Sequence, residues 1–512
     1  MRLSLVGALL LGFLVYVARG QDLPRKPPAS QGVDPANVLR FVERADTQIE
    51  TMNSFMLVRH GAVVAEAWWA PYEAGDPHQL YSLSKSFTSI AAGIAIAEGK
   101  LSLDDRVVDW FPERLPPEPS DNLRAVRVRD LLRMTTGHVA GDLAGFRWQD
   151  DPTVADALAC PVTHRPGTHF TYNTPASYTA AAVVEQATGQ PLHDYLTPRL
   201  FEPLGIEGSW WAQTGDGVAM GGTGFNLRTE DIAKFGQLLL QRGRWDGRQL
   251  VPAAWIDQAT SRQTSTGSDP GGDWSQGYGF QFWQSTDGYR GDGAFGQYCL
   301  VLPEQDAVVA ITSGVREMGP TMRLVWDELL PGLHPEPLPP NPTAQAELAS
   351  RLAGLTVRTP PGKARSPRAA AVSGQTYTLD DNPLHLRAIA LTFDDERPEL
   401  TFTNDEGAQR VPIGHGDWRR TRVDSIAGLT RTGNELVKPP SGTVAIAASD
   451  AWTDDDTYHV RLCLYETPFS IDLTCRFTND TVEIATRQNV GFHAELEEPT
   501  RHGTLPSDAG NE

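Results

Sequence analysis

Ser82 and Lys85 are the residues of this chain whose types and spacing are best suited to chemistry. They stand three apart in Tyr81-Ser82-Leu83-Ser84-Lys85-Ser86-Phe87-Thr88. An apolar run follows in which Phe87, Ile90, Ala91 and Ile94 recur at helical spacing, with Gly99 as a stop signal. Residues three apart on a helix share one face, so the Lys85 nitrogen reaches the Ser82 hydroxyl. A lysine whose pKa is lowered by burial can take the proton of that hydroxyl and activate it as a nucleophile. A helix N-terminus adds free N–H groups and a partial positive charge, both favourable to a developing oxyanion. By itself Ser-x-x-Lys is a common exposed helix face. It gains meaning from two later segments.

The first is Pro166-Gly167-Thr168-His169-Phe170-Thr171-Tyr172-Asn173-Thr174, a turn leading through Tyr-Asn into an apolar helical pattern over residues 178–187. The second is Tyr289-Arg290-Gly291-Asp292-Gly293-Ala294-Phe295-Gly296-Gln297, ahead of a strand-like run at 298–302. Taken together, the three segments resemble the serine β-lactamase and penicillin-binding family. The likeness is to its class C branch, with family VIII esterases, DD-peptidases and nylon-oligomer hydrolases. Residues 126–138, 200–205 and 229–236 resemble further landmarks of that family, in the right order over residues 33–333.

The resemblance implies an antiparallel sheet with a helical subdomain, an α/β fold of the α+β kind. It implies Ser82 as nucleophile, Lys85 as its partner and Tyr172 as the third member of the proton relay. Either a neutral Lys85 or a Tyr172 phenolate could serve as base. Tyr81 and Tyr178 lack the Phe-x-Tyr-Asn setting. Two departures stand out. The family pattern is Tyr-x-Asn, whereas here Asn173 follows Tyr172 directly and Thr174 takes the usual place. Asn173 is therefore the candidate substrate-positioning residue. The Lys-Thr-Gly of β-lactamases, or His-x-Gly of the esterases, is also missing. Gly293-Ala294-Phe295-Gly296-Gln297 carries no cation, although its glycines permit close backbone approach. Gly296 and an N–H near Gln297 are the candidate second half of an oxyanion site, and Arg290 reads as an exposed loop residue. The missing cation argues against recognition of a β-lactam carboxylate.

Around these residues the pattern predicts a helix over 34–51 and a hairpin of 55–60 with 62–68 about Gly61. Helix and loop fill 82–271, strands return at 278–283, 298–302 and 307–312, and a helix follows at 321–330. Strands from both ends with helices between them fit the implied sheet. Residues 334–373 read as a Pro/Ala-rich linker with a helical patch at 344–355. Residues 374–497 read as a separate all-β domain, sandwich or barrel, and 498–512 as a disordered tail. Tyr377, Trp418, Trp452 and Phe477 read as its core. Trp68, Trp69, Trp210 and Trp211 suit either a pocket for an apolar acyl group or simple core filling.

A chain of 512 residues with 40% apolar and 21% charged residues supports two or three domains with substantial cores. A net charge of −20 argues against nucleic acid or an anionic membrane as partner. Residues 1–20 read as an export signal: Arg2, an apolar stretch over 3–17, then Ala18-Arg19-Gly20. No later stretch is long and apolar enough for a membrane span in the mature chain. His60, His78, His138, His164 and His169 lack metal-ligand spacing, and neither a metal nor a cofactor is implied. Of the four cysteines, Cys463 and Cys475 flank a turn near Thr467-Pro468 and could pair if the hairpin is centred on residue 469. A one-residue slip would set them on opposite faces. The reading is an exported serine hydrolase acting on a small-molecule or peptide ester or amide through an acyl-serine. A silent peptide- or wall-binding protein that retains the fold is the alternative.

Overall fold

The computed structural model describes residues 22–267, 272–394, 398–432, 438–492 and 495–505. The candidate export signal lies outside them. Six strands build the first sheet: β1 (Met52–Arg59), β2 (Ala62–Trp68), β3 (Trp283–Gln284), β4 (Tyr289–Gly293), β5 (Gln297–Leu302) and β6 (Ala307–Ser313). Their order is β2-β1-β6-β5-β4-β3, antiparallel throughout. The β1–β2 turn uses His60 and Gly61, both at positive φ (50° and 72°), as a tight hairpin demands.

Both faces of this sheet are covered, which is why its strands read as unbroken apolar runs. Met56, Val58, Cys299, Val301, Val308 and Ala310 face one core, with helices α2 (Ser84–Ala97), α3 (Thr174–Thr188) and α4 (Thr229–Leu240). Phe55, Leu57, Leu300, Val309 and Ile311 face the other, under α1 (Pro35–Gln48) and α5 (Pro342–Ala353). The alternation is the period of two that a strand imposes. Among the described residues no helix is long and apolar enough to cross a membrane.

The second sheet is built from strands β7 (Thr376–Leu379), β8 (Ala388–Thr392), β9 (Glu399–Asn404), β10 (Gly407–Pro412), β11 (Gly414–His415), β12 (Arg419–Val423), β13 (Val444–Trp452), β14 (Thr457–Cys463), β15 (Ser470–Thr478), β16 (Thr481–Gln488) and β17 (Arg501–Thr504). They curl into a nearly closed barrel, ordered β10-β9-β8-β7-β17-β16-β15-β14-β13-β11, with β12 also on β13. The Asp424 N–H donates to Gln409 Oε1 (3.0 Å) where the β10 and β12 ends meet. Tyr377, Trp452 and Phe477 fill the interior, as expected of core aromatics.

Two expectations need correction. Residues 334–373 are not a free spacer: Leu348, Leu355 and Val357 are buried against the first sheet's core, and Arg351 pairs with Asp46. Proline-rich composition marks where regular structure stops, not whether the segment docks. Residues 501–504 of the expected tail form β17 between β7 and β16, with Arg501 buried.

The cysteine pairing that the sequence left open does not form, and the thiols take the opposite-face alternative. The register sets Cys463 opposite Ser470 and Cys475 opposite Tyr458, so the hairpin is centred at Glu466–Thr467. Cys463 faces the first domain's core and Cys475 the barrel interior. All four cysteines are buried and free. Thiol titration of the denatured, unreduced protein is therefore expected to find four reactive groups; two would mean that the β14–β15 register is wrong.

Candidate active site

Ser82 lies on a single 3-10 turn, Tyr81–Leu83, that runs straight into α2. Ser84 Oγ holds this turn by donating to Tyr81 O (2.6 Å) and accepting from the Phe225 N–H (3.2 Å). One turn further on, Lys85 is almost completely buried at 1% exposure. Its Nζ lies 3.0 Å from Ser82 Oγ, 2.7 Å from Gly222 O and 3.2 Å from Thr174 Oγ1. None of these neighbours is a carboxylate. Desolvation therefore dominates and brings the Lys85 pKa down to about 7, with the Asp292 charge pulling weakly upward.

Two local devices complete that cage. The Asn173 side chain caps α3 by accepting from the Ala176 N–H (2.7 Å), which fixes Thr174 as the first helical residue. Asn173 also donates to Thr171 O and Thr136 Oγ1 and is buried. The expectation that it positions substrate is thus corrected: its polar atoms are spent on the cap, and the neighbouring Thr174 reaches Lys85. The other device is Gly222, where a Cβ would sit 2.6 Å from Thr174 Cγ2, 3.0 Å from Ser177 Cβ and 3.2 Å from Lys85 Nζ. Only glycine lets this carbonyl approach the amine.

Tyr172 completes the group. Its ring centroid is 5.1 Å from Lys85 Nζ. Burial, assisted by the Asp292 charge, raises its phenol pKa well above the ordinary value. The ring stacks on Trp283 at 5.3 Å and 24°. Arg290 in turn lies over Trp274 and Trp283, at 4.8 and 5.9 Å from the rings. Arg290 is no exposed loop residue. It is fully buried on β4, donating through Nε to Asp292 Oδ2 (2.9 Å) and through Nη1 to Ser285 Oγ (2.7 Å). Asp292 also accepts from Trp274 Nε1 (3.1 Å).

β4 runs tightly against the turn that bears Ser82. A Cβ on Gly291 would fall 2.4 Å from Leu83 Cδ1, and one on Gly293 only 2.0 Å from Leu80 O. Beyond Gly293 the chain turns back through Ala294, Phe295 and Gly296 into β5. Here Gln297 and Gly296 are tied into the turn itself, and the Gly296 N–H is spent on Gly293 O (3.2 Å). Gln297 is buried and clamps the turn from behind, donating to Ala294 O and Ser313 O. Gly296 supplies a positive φ of 89° and packs on Ser313. The N–H groups of Ser82 and Ala294, flanking the close approach of β4 to the 3-10 turn, are the remaining candidates for an oxyanion site.

Thr174 stood at the family's asparagine position in the sequence. Gly222, Trp283 and Asp292 carried no local signal, since each matters only through tertiary approach. Trp69 and Trp211 are core residues: Trp69 Nε1 donates to Asp46, and Trp211 stacks on Phe225 at 4.4 Å. No cluster able to hold a metal ion occurs among the described residues.

A family model described as Beta-lactamase matches residues 41–330, more than half of the chain. The 6-aminohexanoate-dimer hydrolase of Paenarthrobacter ureafaciens is 27% identical over 281 residues, covering 50% of this chain and 71% of that protein. Penicillin-binding protein 4 of Amycolatopsis lactamdurans is 28% identical over 276 residues, covering 46% and 71%. Esterase EstB of Burkholderia gladioli is 29% identical over 175 residues, covering 30% of this chain and 44% of the esterase.

The cage makes a sharp demand on residue 222. Gly222→Ala is expected to lower kcat for a p-nitrophenyl ester by at least about tenfold, as misplaced general-base geometry does. Its far-ultraviolet circular dichroism should stay native. Wild-type kcat in the alanine variant would show that this carbonyl does not hold Lys85.

Proposed function

The chain belongs to the Beta-lactamase family and is a serine hydrolase, and from that premise we propose that it cleaves neutral esters or amides through an acyl-Ser82 intermediate. The observation that carries this reading is the buried Lys85 nitrogen against Ser82 Oγ, with a pKa of about 7. As a neutral amine, Lys85 has two N–H bonds for Gly222 O and Thr174 Oγ1 and one lone pair for the Ser82 proton. That arrangement uses every position on the nitrogen.

Ser82 Oγ attacks the carbonyl carbon while its proton passes to Lys85. The N–H groups of Ser82 and Ala294 are the donors for the oxyanion. Tyr172, a neutral phenol at ordinary pH because of burial, gives its proton to the departing alcohol or amine and is reprotonated from Lys85. Water then attacks the acyl-serine by the same relay in reverse, releasing the acid. Between the two bases left open by the sequence, Lys85 is favoured, since its pKa moves towards neutrality and that of Tyr172 moves away.

Neutral substrates are favoured over β-lactams by the charge on β4. Where a carboxylate-bearing substrate needs a cation, the strand offers Asp292, and the adjacent Arg290 is already paired with it. The named activities of the relatives, a 6-aminohexanoate-dimer hydrolase and an esterase, fall within the same amide and ester chemistry.

Ser82→Ala is expected to abolish hydrolysis, and a slow substrate or phosphonate should leave its adduct on Ser82 by mass spectrometry. An adduct on Ser84 or Ser86 would reassign the nucleophile. Lys85→Ala and Tyr172→Phe should each cost about a hundredfold or more in kcat. Because Lys85 must be neutral, kcat/KM is expected to rise with pH to a plateau, with its midpoint near pH 7. Tyr172 should cause no fall up to about pH 10, its unperturbed pKa; a profile falling through pH 7 would exclude Lys85 as the base. Purified protein should also show a higher kcat/KM on p-nitrophenyl butyrate than on nitrocefin, and the reverse order would refute the preference for neutral substrates.

A further inference from the structure

We propose that Phe492, in the loop that follows β16, with Phe295 and Tyr81 of the first domain, forms a subsite for an apolar group of the substrate. This inference rests on the acyl-Ser82 reading. Phe492 is 75% exposed, the one large apolar side chain left in solvent among the described residues. A single exposed apolar residue would be unremarked. This one is not isolated: its ring centroid is 5.8 Å from Tyr81 and 4.9 Å from Phe295. Tyr81 and Phe295 meet edge to face at 5.1 Å and 89°, with Phe469 behind them at 6.3 and 5.8 Å. The result is an aromatic ledge whose outer ring lies open.

Its place matters as much as its composition. Tyr81 directly precedes Ser82, and Phe295 directly follows Ala294, so the ledge is built on residues that flank both proposed oxyanion donors. Both residues hold positive φ, 48° and 66°, a costly backbone for bulky side chains and one that concentrates at functional sites. Phe492 is held from its own side too. Val490 is buried in the barrel, while Asn489 accepts from the Ser470 N–H (2.7 Å) and donates to Gly314 O (3.3 Å) and Pro468 O (2.9 Å). The chain thus fixes an apolar ring in water against the residue that precedes Ser82. Packing inside the fold gains little from the exposed face, whereas an apolar acyl chain or alcohol laid across it would be desolvated.

The test uses the full chain and two substrate series. One lengthens the acyl group (p-nitrophenyl acetate, butyrate, hexanoate, octanoate), and the other enlarges the alcohol (phenyl and 2-naphthyl butyrate). If the ledge takes the apolar group, kcat/KM in one series rises by about two- to fourfold for each buried methylene or its equivalent. The series that responds identifies which side of the scissile bond it holds. Phe492→Ala should at least halve the logarithmic slope, and Phe492→Leu should restore part of it. Labelling of wild-type Ser82 by a small methylphosphonate is measured alongside. Labelling with slopes equal in wild type and Phe492→Ala overturns the subsite alone, and absence of labelling overturns the acyl-serine reading with it. Light scattering supplies the last arm: a wild-type dimer that Phe492→Ala dissociates, with unchanged slopes, would assign the ledge to self-association and overturn the proposal.

Discussion

One desolvated nitrogen organises this protein. Lys85 Nζ is enclosed by Ser82 Oγ, Thr174 Oγ1 and Gly222 O, oxygens from three segments that are far apart in the chain. A buried ammonium without a carboxylate beside it is expensive, so the group sheds its proton near neutrality instead of paying the full desolvation penalty. Each neighbour answers to that constraint. The cap at Asn173 exists to start α3 at Thr174, and the glycine at 222 exists to let a carbonyl close. β4 carries Gly291 and Gly293 so that it can lie flush on the turn that bears Ser82.

The same turn is also held from behind by the second domain. The Gln79 N–H donates to Glu466 O (2.9 Å), Tyr72 Oη to Thr467 O (3.2 Å), and Arg420 pairs with Glu73 and Asp76. Gly314 lies so close to Pro468 that a Cβ would fall 2.3 Å from its carbonyl oxygen. The β14–β15 turn is therefore wedged between the approach to Ser82 and the end of β6. Ala445, Ala447, Cys463 and Tyr465 join the first domain's core, and Tyr81 and Phe295 join the barrel's. Two sheets that are topologically separate share their hydrophobic clusters, so the geometry at Ser82 is set by both.

How much of this was legible in the sequence follows from the range of each interaction. Ser82, Lys85 and the helix behind them were readable because all their information lies within one helical period. The hairpin at Gly61, β5 and β6 were readable because local turns and continuous apolar runs announce them. Tyr172 needed the Pro-Gly turn and the family order, and its neighbour misled: Asn173 looked like a ligand and is a cap. The missing Lys-Thr-Gly was plain in the segment, but nothing local showed that Gly296 and Gln297 are tied into the turn or that Arg290 is buried. Arg290 is buried under Trp274 and Trp283, and Gln297 sits on an interior strand bonded to Ser313 O; no local pattern announces either tertiary neighbour. The cysteine pairing stayed open in the sequence for the same reason of range. A hairpin register depends on turn length, and a shift in the centre of the turn sent the two thiols to opposite faces.

The acid on β4 gives the site its chemical character. Asp292 sits near enough to Lys85 and Tyr172 to raise the pKa of each, while Arg290 and Trp274 hold its carboxylate in place. For Lys85 this opposes burial, so the base stops near pH 7 when desolvation alone would take it lower. A weaker base would be neutral over more of the pH range but would pull less on the serine proton, and general-base catalysis is most efficient when the pKa matches the working pH. For Tyr172 the same charge adds to burial and keeps the phenol protonated, ready to donate. A cation at this position would act the other way on both groups, lowering the amine further and favouring a phenolate. The buried acid therefore does more than disfavour anionic substrates: it suits the proposed assignment of the base to Lys85 and the acid to Tyr172.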